Sequence, residues 1–266
     1  MQLRCAVGGM GVAAPWRTLV LPFINDVQGL DFVSFHFYGT HNASTDTDTL
    51  MKAAITGVAV DLPNQLPLNL LHALVRQRWG AHAGVYITEA NINSVRNDDG
   101  SARDERIAQP QAMAWWLTFL QTASSTVNEI IQYKLCGGGW GLIDDAGMPT
   151  PAYWAVWLFN IYAPRDSDIC RLVSADGAIK GMAVRTPTAL NVLMANVRSE
   201  PIRIEVTVEW RSAPHLKMVR LRRILPAGVS VSQPTYEILS RESTQRVLLP
   251  GYGIAVLQFV PLGNAG

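Results

Sequence analysis

Several things this chain lacks narrow its reading. It has only three cysteines in 266 residues, Cys5, Cys136 and Cys170, odd in number and far apart. They form no zinc spacing and no disulfide framework, so reduced, buried thiols are expected. It has almost no charge of either sign in excess: the net charge is +1, and only 16% of residues are charged. Such a balance gives no electrostatic reason for a nucleic acid or an anionic membrane as partner. Arg220, Arg222 and Arg223 cluster on a strand-like segment and read as a solvated face. No apolar run reaches the roughly 18 residues of a membrane span. The first 16 residues are small and apolar toward Ala13-Ala14-Pro15, but Gly8, Gly9 and Gly11 break the run, which makes a weak export signal.

Motifs are missing as well. There is no Gly-x-Ser-x-Gly elbow and no phosphate loop. Gly9-Met10-Gly11-Val12-Ala13-Ala14 loosely matches a dinucleotide fingerprint. Pro15 stands where its helix should run, and Asp31 lies at the start of the next strand rather than its end. The segment reads instead as a tight strand-to-helix loop. His36 and His41 have no carboxylate or cysteine at ligand spacing, so neither a metal nor another cofactor is expected.

What is present is a strong hydrophobic content of 48%, enough for a sizeable core. Strand and helix alternate over the first 160 or so residues. Strands are expected at residues 3–7, 30–38, 84–88 and 130–135. Helices are expected at 18–27, 49–60, 66–79, 106–123 and 151–162, the last opened by Pro151. Four strand-helix units imply a parallel sheet. After Ala163-Pro164 the texture turns to period two, at residues 179–184, 190–196, 202–210, 217–224, 236–239 and 254–260. That spacing fits an antiparallel β-sandwich. The expected domains are residues 1–164 and 165–266.

The chemistry gathers at strand ends. Val85-Tyr86-Ile87-Thr88-Glu89-Ala90-Asn91 delivers one carboxylate at the end of an apolar run, as a parallel α/β barrel does at its carboxyl rim. Leu30 to Tyr38 ends in His36 and Tyr38. Ile130-Ile131-Gln132-Tyr133 runs into a glycine-rich loop that carries Trp140. A tyrosine hydroxyl beside a carboxylate orients it for nucleophilic attack. Asn91, Asn93 and Ser94 are suited to hydrogen-bond a polyhydroxylated ligand. Trp140 reads either as a flat face for a sugar ring or as a buried loop anchor.

In this order these segments resemble the second half of a retaining glycoside hydrolase with a (β/α)8 barrel. They are Val7-Gly8-Gly9, Asp31 to Tyr38, Ile87-Thr88-Glu89, and Gly141-Leu142-Ile143-Asp144 with Pro149-Thr150-Pro151-Ala152-Tyr153. The look is closest to family 39, the β-xylosidase and α-L-iduronidase family, whose barrel is also joined to a β-sandwich. The resemblance implies a partial barrel, strands five to eight, acting on carbohydrate without a cofactor. Glu89 would be the nucleophile after strand seven, with His36, Tyr38, Asn91 and Trp140 lining the sugar site. It implies an extracellular or periplasmic location.

The chain departs from that pattern in one respect. The proton donor of the clan is the glutamate of an Asn-Glu-Pro motif after strand four, and that motif is absent. Asn128-Glu129-Ile130 lacks the proline and precedes the last strand. The chain therefore reads as a fragment of a longer frame or, less favoured, as a half-barrel that self-associates through its open edge. The rival reading is a carbohydrate-binding or scaffold protein without catalysis.

Overall fold

A computed structural model describes residues 6–208, 216–224, 235–240 and 244–261; side chains are described for 6–208 and 244–260. The chain divides into two compact units. One takes in Met1–Ile107 and Gln121–Met148, the other Ala108–Leu120 and Pro149–Gly266. Among the described residues no helix is long and apolar enough to cross a membrane.

The first unit is built on four parallel strands: β1 (Gly8–Val12), β2 (Phe32–Thr40), β3 (Gly84–Asn93) and β4 (Glu129–Gln132). Their order in the sheet is their order in the chain. A sheet wound in one direction places its crossovers on one face. Helix α1 (Arg17–Asp26) lies in the first of those crossovers, and α2 (Thr47–Thr56) and α3 (Leu68–Trp79) both lie in the second. Asp46 caps α2 by accepting from the Thr49 amide, and Gly57 ends it in the left-handed region, where a Cβ is costly. One sheet face is dry: Val33, Phe35, Phe37, Val85, Ile87 and Ala90 are at most 1% exposed. The other carries Phe32, Ser34, His36 and Tyr38 beside Tyr86, Glu89 and Asn91, by register.

Several boundaries differ from the sequence expectation, β4 ending at Gln132 rather than 135 and α2 at Thr56 rather than 60 among them. The first strand was expected at residues 3–7, of which 3–5 lie outside the described residues, as does Cys5; it forms at Gly8–Val12. The glycine run is the strand, not the loop after it. Its register against Phe32 explains why: a Cβ on Gly8 would lie 2.2 Å from the Phe32 ring. The dinucleotide reading falls with this, since α1 opens only at Arg17. The third strand runs five residues beyond Thr88, because the ladder to β2 continues to Thr40↔Asn93. The helix expected at 106–123 divides into a 3-10 turn, Glu105–Ala108, and α4 (Pro110–Ala123).

The second unit holds α5 (Pro151–Tyr162) and most of α4, whose Trp115, Trp116 and Phe119 are buried. Its described residues also form eight strands: β5 (Asp168–Cys170), β6 (Ile179–Arg185), β7 (Leu190–Asn196), β8 (Ile202–Thr207), β9 (Leu216–Ile224), β10 (Thr235–Ser240), β11 (Thr244–Leu249) and β12 (Ile254–Pro261). One antiparallel sheet has the order β10-β9-β12-β7-β6-β5, and β11 pairs with β8 in a second. Val192, Met194, Leu257 and Phe259 from the first share a core with Val247 and Leu249 from the second. The side chains of Arg220, Arg222 and Arg223 lie outside those described.

Candidate functional site

The site begins with a bulge. Phe35 pairs with Ile87, yet the next residue, His36, pairs with Glu89, so Thr88 is an extra residue in β3. The same irregularity appears against β4 between Ile87 and Ala90. A bulge bends its strand and re-aims the side chain beside it. Here it sets Glu89 next to His36 on the polar face. Thr88 turns its hydroxyl to the Phe35 carbonyl, at 3.4 Å.

One oxygen of Glu89 is held from two sides. The Tyr38 hydroxyl donates to Oε2 at 2.9 Å, and His36 Nδ1 stands 3.3 Å from the same atom. Oε1 has no partner among the described residues. The glutamate side chain is 33% exposed and His36 27%, so the cluster is reachable from solvent. Burial, and then the adjoining Glu89 carboxylate, push the Tyr38 phenol well above the usual tyrosine range. Tyr38 therefore stays a donor wherever Glu89 is a carboxylate. His36, Tyr38 and Glu89 are brought together as the sequence expectation had them.

Asn91 and Trp140 are placed differently. Asn91 shares the face of Glu89 by alternation but is fully buried. Its Nδ2 donates to the carbonyls of Tyr133 and, at 3.2 Å, Trp140. Gln132 Nε2 donates to the same two carbonyls. Trp140 is 2% exposed, packs edge-on against Tyr133 at 5.9 Å, and donates from its indole to the Gly100 carbonyl. Both positions thus anchor the segment after β4, one of the two readings that Trp140 carried. Asn93, also buried, donates to Asp104, which Arg106 grips with two nitrogens at 2.9 and 2.7 Å.

The geometry adds residues that the sequence did not reveal. Tyr133 is within electrostatic reach of Tyr38, and the Arg96 guanidinium sits over its ring at 5.8 Å. Period-two alternation past Gln132 is the signal that would have flagged Tyr133. Asp61 accepts from the His41 amide at 2.6 Å and from Thr40 at 2.9 Å, and meets His41 Nδ1 at 3.3 Å. Burial opposes ionisation of Asp61, but these donors outweigh it and hold its carboxyl below the usual range. His36 and His41 thus attach to different carboxylates, and no cluster of metal-ligand type occurs among the described residues. A groove of about 490 Å3 along β8 and β11 carries no comparable chemistry, as its Glu205 and Arg246 are already paired at 3.0 Å.

No protein-family model matches the sequence, and no curated protein matches it. Solved structures do. A monomeric β-xylosidase from Caulobacter crescentus CB15 is 13% identical, with a TM-score of 0.62 over 97% of this chain and 62% of that one. An α-L-arabinofuranosidase from Thermotoga maritima is 17% identical, with a TM-score of 0.68 over 97% and 58%. A GH30 endoxylanase from Clostridium papyrosolvens C71 is 12% identical, with a TM-score of 0.62 over 96% and 56%. Family 39 is among these neighbours. The fold is that of glycoside hydrolases, and this chain spans about three-fifths of the length of the structures it matches.

Proposed function

We propose that this chain is the nucleophile-bearing half of a retaining glycoside hydrolase, with residues 1–164 as barrel strands five to eight and 165–266 as a β-sandwich. The observation that carries it is the Glu89 carboxylate, gripped at one oxygen by Tyr38 and His36 and open at the other, on the polar face of a sequentially wound parallel sheet. Oε1 attacks the anomeric carbon of a bound glycoside, and the bond to the leaving oxygen breaks. That oxygen takes a proton, and water later displaces Glu89 from the sugar. Both proton transfers need a second group, about 5–5.5 Å from the first in retaining enzymes. No second carboxylate joins the Glu89 cluster among the described residues. The donor therefore comes from outside these residues, and unaided hydrolysis of ordinary glycosides is weak or absent.

The nucleophile can be tested without the donor. A 2,4-dinitrophenyl leaving group needs no proton, and 2-fluoro substitution slows release of the trapped sugar. Incubation with 2,4-dinitrophenyl 2-deoxy-2-fluoro-xyloside or -glucoside is expected to add one glycosyl mass to the peptide containing Glu89. No adduct from any such probe, or an adduct that persists in Glu89→Gln, removes the reading. A second reading, sugar binding without catalysis, is favoured by the lone carboxylate. Calorimetric binding of xylo-oligosaccharides that is unchanged in Glu89→Gln, with no adduct, would establish it.

A further inference from the structure

The turn that follows β2 is organised around one carboxylate. Thr40, the last residue of β2, is fully buried, and its hydroxyl donates to Asp61 Oδ2 at 2.9 Å. The His41 amide donates to the same oxygen at 2.6 Å. The turn is pinned further on both sides. The Asn42 amide donates to the Thr40 hydroxyl at 3.1 Å, the Thr45 hydroxyl lies 2.8 Å from it, and Arg106 donates to the Thr45 carbonyl at 2.6 Å. The Val60 amide, next to Asp61, donates to the Gly39 carbonyl at 3.0 Å. These bonds hold the backbone without help from an imidazole. Yet His41 Nδ1 also meets Asp61, through its other oxygen, at 3.3 Å. Burial opposes ionisation of Asp61, but the donors around it prevail, and a carboxylate only accepts. Nδ1 therefore carries the proton, and Nε2 of the neutral ring is left as an acceptor.

That acceptor has no partner among the described residues, and the side chain is 28% exposed. The His41 ring stands edge-on to Tyr38, with centroids 6.1 Å apart, and the Tyr38 hydroxyl is the one that donates to Glu89. A fixed tautomer on a pinned turn, one ring removed from the Glu89 carboxylate, is a preorganised hydrogen-bonding group. We propose that His41 is a specificity residue of a second sugar subsite, where Nε2 accepts from a hydroxyl of the sugar adjoining the one at Glu89. The inference rests on reading Glu89 as the nucleophile and goes beyond it in naming the substrate class, an oligosaccharide rather than a single-sugar glycoside. An aryl leaving group offers Nε2 no hydroxyl. Asp61 acts through His41, by fixing which nitrogen is the acceptor.

The test is titration calorimetry of the chain with xylose and xylotriose and with glucose and cellotriose, beside the labelling of Glu89. One trisaccharide is expected to bind at least about 5-fold tighter than its own monosaccharide, and His41→Ala is expected to bring that ratio down toward 1. His41→Phe, which fills the space without an acceptor, is expected to do the same. A purely structural role would weaken both sugars alike and leave the ratio standing. Circular dichroism checks that both variants fold. No binding of any of the four sugars, a trisaccharide that binds no tighter than its monosaccharide, or a ratio that survives either variant overturns the subsite. Labelling of Glu89 together with such a result leaves the nucleophile standing. A ratio that depends on His41, in a chain that no glycoside labels, does the reverse.

Discussion

Glu89 presents two unlike oxygens, and the difference assigns work to its neighbours. Oε2 is taken by Tyr38 and His36, so in the proposed reaction Oε1 is the atom left to attack. Hydrogen bonds to an ionised group contribute about 1.5–3 kcal/mol. Tyr38→Phe is therefore expected to slow labelling of Glu89 by roughly 10–100-fold without unfolding the chain, as followed by intact mass against time. The Tyr38 phenol titrates above the usual range because of burial first and Glu89 second. In Glu89→Gln the second cause is gone and the first remains. Ultraviolet titration is expected to find its ionisation moved downward, toward but not to the value of a free tyrosine. At this scale the sequence was readable where side chains act at once on their neighbours: Glu89, His36 and Tyr38 all stand on two adjacent strands. Asn91 was not readable. Alternation puts it on the face of Glu89, and only the fold of residues 133–140 above it turns it into an anchor.

A buried ion pair joins two of the loops that follow the parallel strands. Asp104 is held by Arg106 and Asn93, while Arg106 also donates to the Thr45 carbonyl at 2.6 Å, tying the segment after β3 to the segment after β2. Removing one partner of a buried pair leaves an uncompensated charge, which costs about 3–5 kcal/mol. Asp104→Asn is expected to lose stability of that order in urea melts at pH 7. Burial raises the Asp104 carboxyl, but Arg106 and Asn93 outweigh it, and the net is a lowering. A lowered carboxyl stabilises the fold fully above its unfolded value, near pH 4, and the contribution drains as pH falls through the folded value. Melts of the parent chain should therefore converge on those of Asp104→Asn as pH drops from about 5 toward 2. Element boundaries were legible where a proline opened the helix, as in α5, whereas α2, expected at 49–60, runs Thr47–Thr56 between caps at Asp46 and Gly57. The first strand was misplaced because glycine carries little strand propensity, and the Phe32 ring that demands glycine lies 24 residues away.

For the whole molecule, the change from alternating strands and helices to period two after residue 163 was plain in the sequence. The strands Asp168–Cys170 and Thr244–Leu249 were not, the first being too short to show alternation and the second mixing charge with leucine. Among the described residues β1 and β4 are the outer strands of the parallel sheet, so amide exchange is expected to be faster there than in β2 and β3.

The extra residue in β3 also bears on how such a site can change over generations. Without Thr88 the ladder runs Phe35 to Ile87 and His36 to Glu89 with no interruption, so a lineage that deleted this one codon would keep its carboxylate on the same face. It would lose only the local bend and the hydroxyl resting on the Phe35 carbonyl. Loss of the Ile87 codon also restores the ladder but puts Thr88 in the dry position opposite Phe35, and loss of the Ala90 codon puts Asn91 opposite Phe37 on the dry face. Thr88 is thus the position where the strand tolerates a change of length, and deletion variants of the three should retain soluble fold in that order of preference.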